Sequence, residues 1–241
     1  GKIWFRLVTD RILSSAKFSL ASNSTFVENQ PLLHRHRDRI EILPFAVDAG
    51  RKKMEEAPIV LSLGRLVPYK GFDILLRAWR LLLDQKKIWE HRLVIAGDGP
   101  ERRRLNLLTQ NLGIEGSVEF CGNVDESKKS SLLSSARLFV APSLTEAETF
   151  GISILEAMAA GLPVVVSDLP TGVRELARGG ASGAIVKPGD IQSLANAIGD
   201  LLGKGDALSK IGQNNAQFAS ENFSLNSMRA RYAAILSKFD K

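Results

Sequence analysis

From residue 59 onward, short apolar runs alternate with amphipathic segments. The runs are IVLSL (59–63), RLVIA (92–96), SVEFC (117–121), RLFVA (137–141), PVVVS (163–167) and GAIVK (183–187). Each is the length of a buried strand and is bounded by polar, Gly or Pro residues. Helical periodicity fills the gaps, at about 71–86, 100–112, 125–135, 151–160 and 170–178. Three more helices follow, near 190–203, 205–221 and 224–239. Strands alternating with helices predict an α/β fold with a Rossmann-like parallel sheet covered on both faces. Right-handed crossovers then place the ligand at the carboxyl ends of the strands.

The first 50 residues break this rhythm. Trp4 to Ser15 reads as a helix, FSLAS (18–22) as a strand and Thr25 to His34 as another helix. ILPFAVD (42–48) then leads into a polar linker, Ala49–Pro58. One helix–strand–helix piece is too small to be a domain and reads as the tail of a preceding one. The expected division is 1–50 as that remnant and crossover, 51–222 as the ligand-binding domain and 223–241 as a C-terminal helix. Gly1 in place of an initiator Met fits a piece of a longer chain.

Composition changes little. At 241 residues and 44% hydrophobic, with mean hydropathy near zero, the chain reads as an ordinary globular protein. No apolar run approaches the ~20 residues of a membrane span, and no signal pattern opens the chain. The single cysteine, Cys121, has no internal partner, so a reducing, cytoplasmic setting is expected. Charge is more telling. Residues 1–53 hold ten Lys/Arg against five Asp/Glu, most of the net +6. A basic end favours an anionic membrane surface, or is simply a solvated face. No zinc spacing or aromatic–basic interleaving supports nucleic acid.

Four strand-to-helix loops should gather on one rim. In SLGRLVPYKGF, Gly64 allows a tight turn, and Arg65 and Lys70 stand before a helix N-terminus, a combination suited to phosphate or equally to loop solubility. In AGDGP, Gly97 and Gly99 flank Asp98, but the full GxGxxG fingerprint is missing and the stretch alone reads as a turn. CGNVDESKK offers polar groups able to address a base, with Asp125 as an expected N-cap.

PSLTEAETFG ends with Gly151 at a helix start. Here the acids are hard to place. Glu156 lies in an apolar helix with no basic residue at helical contact distance, and Glu148 precedes it at the mouth. An ionised carboxylate among apolar neighbours is costly without partners, and sugar or ribose hydroxyls would satisfy it. Capping of a nearby loop amide is the structural alternative.

SLGRLVPYKGFDILLRAW, the GDGP turn, PSLTEAETFGISILEAMAAGLPVV and KPGD (187–190), in this order, resemble the C-terminal domain of family 4 retaining glycosyltransferases of GT-B architecture. AETFG, DLPTGV and ILPFAVD look most like bacterial enzymes of lipopolysaccharide and surface-polysaccharide assembly. The resemblance implies a GDP-, UDP- or ADP-sugar donor, with a hexose such as mannose. It also implies a glycan or lipid-linked acceptor served by an N-terminal domain, of which only the end is matched here. Arg65 and Lys70 would bind the diphosphate, Glu156 the ribose, and Glu148 would lie beside the sugar. Amides around Phe150, Gly151 and Ile152 would serve phosphate and sugar. Val124 would border the base, and Gly97–Asp98–Gly99 would shape the floor beside Gly64.

The resemblance implies a donor site that needs no metal or other cofactor, and the absence of an Asp-x-Asp pair agrees with it. The isolated chain is expected to bind donor and transfer sugar poorly. A non-catalytic nucleotide-sugar-binding module and a GT-B-like nucleotide-sugar epimerase remain alternatives. His34, His36 and His91 lie outside the rim loops, which counts against the epimerase. The missing fingerprint counts against an NAD-dependent dehydrogenase.

Overall fold

The structure, a computed structural model, describes residues 2–48, 56–85, 88, 90–180 and 183–239. Most of the expected linker, residues 49–55, lies outside the described residues.

The N-terminal part comprises α1 (Lys2–Ser15), β1 (Ser19–Ala21), α2 (Ser24–Asn29), α3 (Pro31–Arg35) and β2 (Ile40–Ile42). The main domain follows as β3 (Ile59–Leu63), α4 (Phe72–Asp84), β4 (Arg92–Ala96), α5 (Arg102–Leu112), β5 (Val118–Gly122), α6 (Glu126–Ser135), β6 (Leu138–Ala141), α7 (Ile152–Ala159), β7 (Val164–Ser167), α8 (Gly172–Gly179), β8 (Gly183–Val186) and α9 (Ile191–Leu202). Two further helices, α10 (Asp206–Phe223) and α11 (Leu225–Ser237), end the described chain.

The six main strands form one parallel sheet in the order β5-β4-β3-β6-β7-β8. The α/β expectation is met, with helices on both faces. Strand residues alternate between two cores. Leu61, Phe139 and Val164 meet α6, α7, α8 and α10. Val60, Val140 and Val165 meet α4, α5 and α9. Burial on both sides is why these strands read as continuous apolar runs. Ser62 is the polar exception in β3, and its hydroxyl donates to the Val140 carbonyl at 2.7 Å, so it is buried without an orphaned group.

Two expectations need correction in the N-terminal part. The single helix at Thr25–His34 is two, because Pro31 has no N–H to continue α2 and holds Gln30 extended (φ −100°, ψ 108°). β2 was not foreseen; it is three residues long and pairs in parallel with β1. This part is tied to the main domain by buried polar contacts. Asn23, fully buried, donates to the Thr149 carbonyl at 3.0 Å and caps α2 through Phe26 N–H. Glu175 on α8 accepts from the Ser24 hydroxyl and the Thr25 N–H, so an anion sits at the N-terminus of α2. Val47 N–H donates to the Phe223 carbonyl at 2.9 Å.

Candidate functional site

β3 and β6 are neighbours, yet their crossovers run to opposite sides of the sheet. A doubly wound sheet opens a crevice at such a switch point, outside the carboxyl ends of the strands. The loops after β3, β4, β5 and β6 meet there.

The first two loops are joined through backbone. Gly64 N–H donates to the Ala96 carbonyl at 3.0 Å and Leu66 N–H to the Asp98 carbonyl at 2.9 Å. A Cβ on Gly97 (φ 133°) would sit 2.0 Å from the Gly64 carbonyl oxygen, and one on Gly99 would sit 2.4 Å from that of Leu66. These glycines are therefore required by loop-to-loop contact. Asp98 turns its Oδ1 to the Gly99 N–H at 2.7 Å.

Beyond the turn at Pro68–Lys70, Leu144 N–H donates to the Tyr69 carbonyl at 2.7 Å, which brings Lys70 to the β6 loop. Lys70 Nζ lies 2.5 Å from Glu148 Oε2, and the Ser143 hydroxyl donates to the same oxygen at 2.9 Å. Glu148 is only 8% exposed. Gly151, left-handed at φ 86°, caps α7 and turns the chain into the helix.

The expectation that Glu156 has no counter-charge is overturned. Its Oε1 lies 2.7 Å from Lys129 Nζ on α6, and Lys129 is also 2.8 Å from Glu126. Burial pulls the Lys129 pKa down, but the two carboxylates more than reverse it, and the net shift is upward. Glu148, too, is paired with a lysine. Arg65 differs: it is exposed and makes no ion pair or hydrogen bond among the described residues.

Two cavities share Gly64 and Ser153. One, of about 640 Å³, is lined by Gly64, Arg65, Gly97, Asp98, Gly99, Val124 and Glu156, with Asn123 and Lys129. The other, of about 380 Å³, is lined by Lys70, Glu148, Phe150, Gly151 and Ile152, with Tyr69 and Phe45. Every candidate residue named from the sequence lines one of the two. Sequence reasoning missed Phe45, Tyr69, Lys129 and Ser143. Lys129 stood inside a loop already marked as polar, whereas Phe45 enters from the crossover and packs edge-on against Phe150 at 5.2 Å.

None of the histidines lines either cavity; His36 instead pairs with Asp10 at 2.7 Å. Among the described residues, no group of three or more His, Cys, Asp or Glu side chains could hold a metal ion, and no helix is long and apolar enough to cross a membrane.

The sheet order and the crevice define a doubly wound α/β domain open at its switch point. Residues 47–218 match the model of the glycosyl transferases group 1 family, and the chain belongs to that family. It is 31% identical over 192 residues to a GDP-mannose-dependent α-(1-6)-phosphatidylinositol monomannoside mannosyltransferase of Mycolicibacterium smegmatis, covering 78% of this chain and 50% of that protein. It is 37% identical over 178 residues to an exopolysaccharide phosphotransferase of Streptomyces coelicolor, covering 73% of this chain but 18% of that protein. The crystal structure of HepE from Anabaena in complex with UDP superposes with a TM-score of 0.80 at 24% identity, over 92% of this chain and 64% of that one. The structural neighbours are GT-B glycosyltransferases. The chain thus spans at most about half the length of these two curated relatives.

Proposed function

We propose that this chain is the donor-binding half of a retaining, metal-independent glycosyltransferase of family 4. It would move a hexose, with mannose the first candidate, from a nucleotide-sugar to a glycan or lipid-linked acceptor in surface-polysaccharide or lipopolysaccharide assembly. The observation that carries the reading is the pair of joined cavities at the switch point, the larger lined by Asp98 and Glu156 with Arg65 and Lys129, the smaller by Glu148 with Lys70. Their volumes, about 640 and 380 Å³, suit a nucleoside and a sugar joined by a diphosphate at Gly64. The lipid-acceptor class is supported by the name of the mannosyltransferase relative. GDP and UDP both stay open, since one relative's name gives GDP-mannose and one neighbour holds UDP.

Donor cleavage breaks the anomeric C–O bond and leaves its electron pair on the β-phosphate. Arg65, Lys70 and the amides at the start of α7 would stabilise that charge electrostatically, with Lys70 already held in place by Glu148. The acceptor oxygen then bonds to the anomeric carbon on the same face, and its proton passes to the departing phosphate. Glu148, held by Lys70 and Ser143, contacts the sugar and is not assigned as a nucleophile. Residues 1–48 are read as the end of the acceptor-side domain, with Phe45 reaching the sugar compartment from it.

Calorimetric titration with UDP, GDP and ADP, their sugars and NAD tests the donor reading. One nucleoside diphosphate should bind, with affinity unchanged by a chelator. Tight NAD binding with no diphosphate binding would sink the transferase reading.

A further inference from the structure

We infer that Lys129 is a positioning residue for Glu156 and sets how the site holds a ribose; the inference rests on the donor-site reading above. Its ammonium takes Glu156 Oε1 at 2.7 Å, and no described residue takes Oε2. One carboxylate oxygen is thereby fixed while the other is left for ligand hydroxyls in the larger cavity, which both residues line. A carboxylate on α7 with free torsions would lose conformational entropy on binding; one fixed from α6 has already lost it. Lys129 also meets the exposed Glu126 at 2.8 Å, and both lie in the first turn of α6 behind the Asp125 cap. The chain Glu126–Lys129–Glu156 therefore joins the base-side loop to the helix that starts at the phosphate side.

This role differs from direct contact with base or phosphate, because it acts only where a ribose hydroxyl reaches Glu156. The test uses the nucleoside diphosphate that the unaltered chain binds best among UDP, GDP and ADP, and its 2′,3′-dideoxy counterpart. Lys129→Met should weaken the parent diphosphate by about tenfold, the scale of one lost charge-assisted hydrogen bond. Its affinity for the dideoxy form should equal that of the unaltered chain. Glu156→Gln should behave the same way, the double variant should be no weaker than the weaker single one, and Lys129→Arg should recover most of the affinity. Equal losses for both ligands, or losses that multiply in the double variant, overturn the inference and leave the donor site standing. Failure of the unaltered chain to bind any of the three overturns the donor-site reading and the inference together.

Discussion

Arg65 and Lys70 carry the same charge on the same loop, but they stand in different surroundings. Arg65 is exposed and without a partner among the described residues, so Arg65→Ala removes only its bond to a phosphate. Diphosphate affinity should fall by about 1.5–3 kcal/mol with little change in melting temperature. Lys70 is 15% exposed and faces Glu148, whose side chain is 10% exposed. Lys70→Ala leaves that carboxylate buried without its cation, a change that costs as much as roughly 3–5 kcal/mol of stability. The melting temperature should drop, and Glu148→Gln on the same chain should restore most of it. A Lys70→Ala chain that melts like the unaltered one would show that the pair does not hold the loop. The residue types at the site were legible because they recur at fixed offsets within one loop or helix. Their partners were not. Lys129 meets Glu156 across 27 residues of sequence and Lys70 meets Glu148 across 78, and periodicity sees only the next turn of the same helix.

Among the elements, strands of the main sheet were legible to within a residue. The partly exposed edge strands β5 and β8 were still short runs bounded by polar or Gly residues, and in β3, β4, β6 and β7 burial on both faces leaves little room for polar positions. The three-residue strands β1 and β2 have no such constraint; β2 follows a turn of three charged residues, Arg37–Arg39, and gave no run to read. Helix starts were legible both where a side chain caps them, as Asp125 does for α6 and Asp190 for α9, and where a glycine precedes them, as at α4 and α7. The Asp190 cap yields a pH prediction. The Ser193 backbone N–H and then its hydroxyl hold the Asp190 carboxyl below the usual carboxylate range. A lowered folded value means that the cap's contribution is present above the unfolded value near ~3.9 and fades as pH falls through the folded one. The melting-temperature difference between the unaltered chain and Asp190→Ala should therefore be constant near neutrality and shrink below about pH 4. A difference that persists unchanged to the acid end would mean that the carboxylate's charge has no part in the cap.

Over the whole molecule, charge and apolar exposure converge on α1. Part of the basic excess of the first 53 residues is spent internally: Arg35 and His36 face Asp10, and Arg37 faces Glu28. Arg6 and Arg11 have no such partners within hydrogen-bond or ion-pair distance among the described residues, and they are exposed beside Trp4, Leu7 and Ile12. Trp4 is 71% exposed, an unusual state for the largest side chain of a helix. Cations with an aromatic and two aliphatic side chains on one short helix have the composition of an interfacial segment, in which basic groups meet anionic headgroups while the rings sink below them. We propose that α1 rests on an anionic membrane surface, which would bring a lipid-linked acceptor to the switch-point crevice. In a longer protein the rest of the acceptor-side domain is the competing cover for its apolar residues, and the vesicle test on that longer protein separates the two. The two forces separate by salt. Sedimentation with phosphatidylglycerol vesicles should be strong at low ionic strength and fall steeply once the screening length shrinks from about 10 Å toward 3 Å, while phosphatidylcholine vesicles retain little protein. Trp4→Ser with Leu7→Ser should reduce binding at every salt concentration, and Arg6→Gln with Arg11→Gln should flatten its salt dependence. Binding that ignores salt, or that is equal on both vesicle types, would remove the electrostatic half of this proposal.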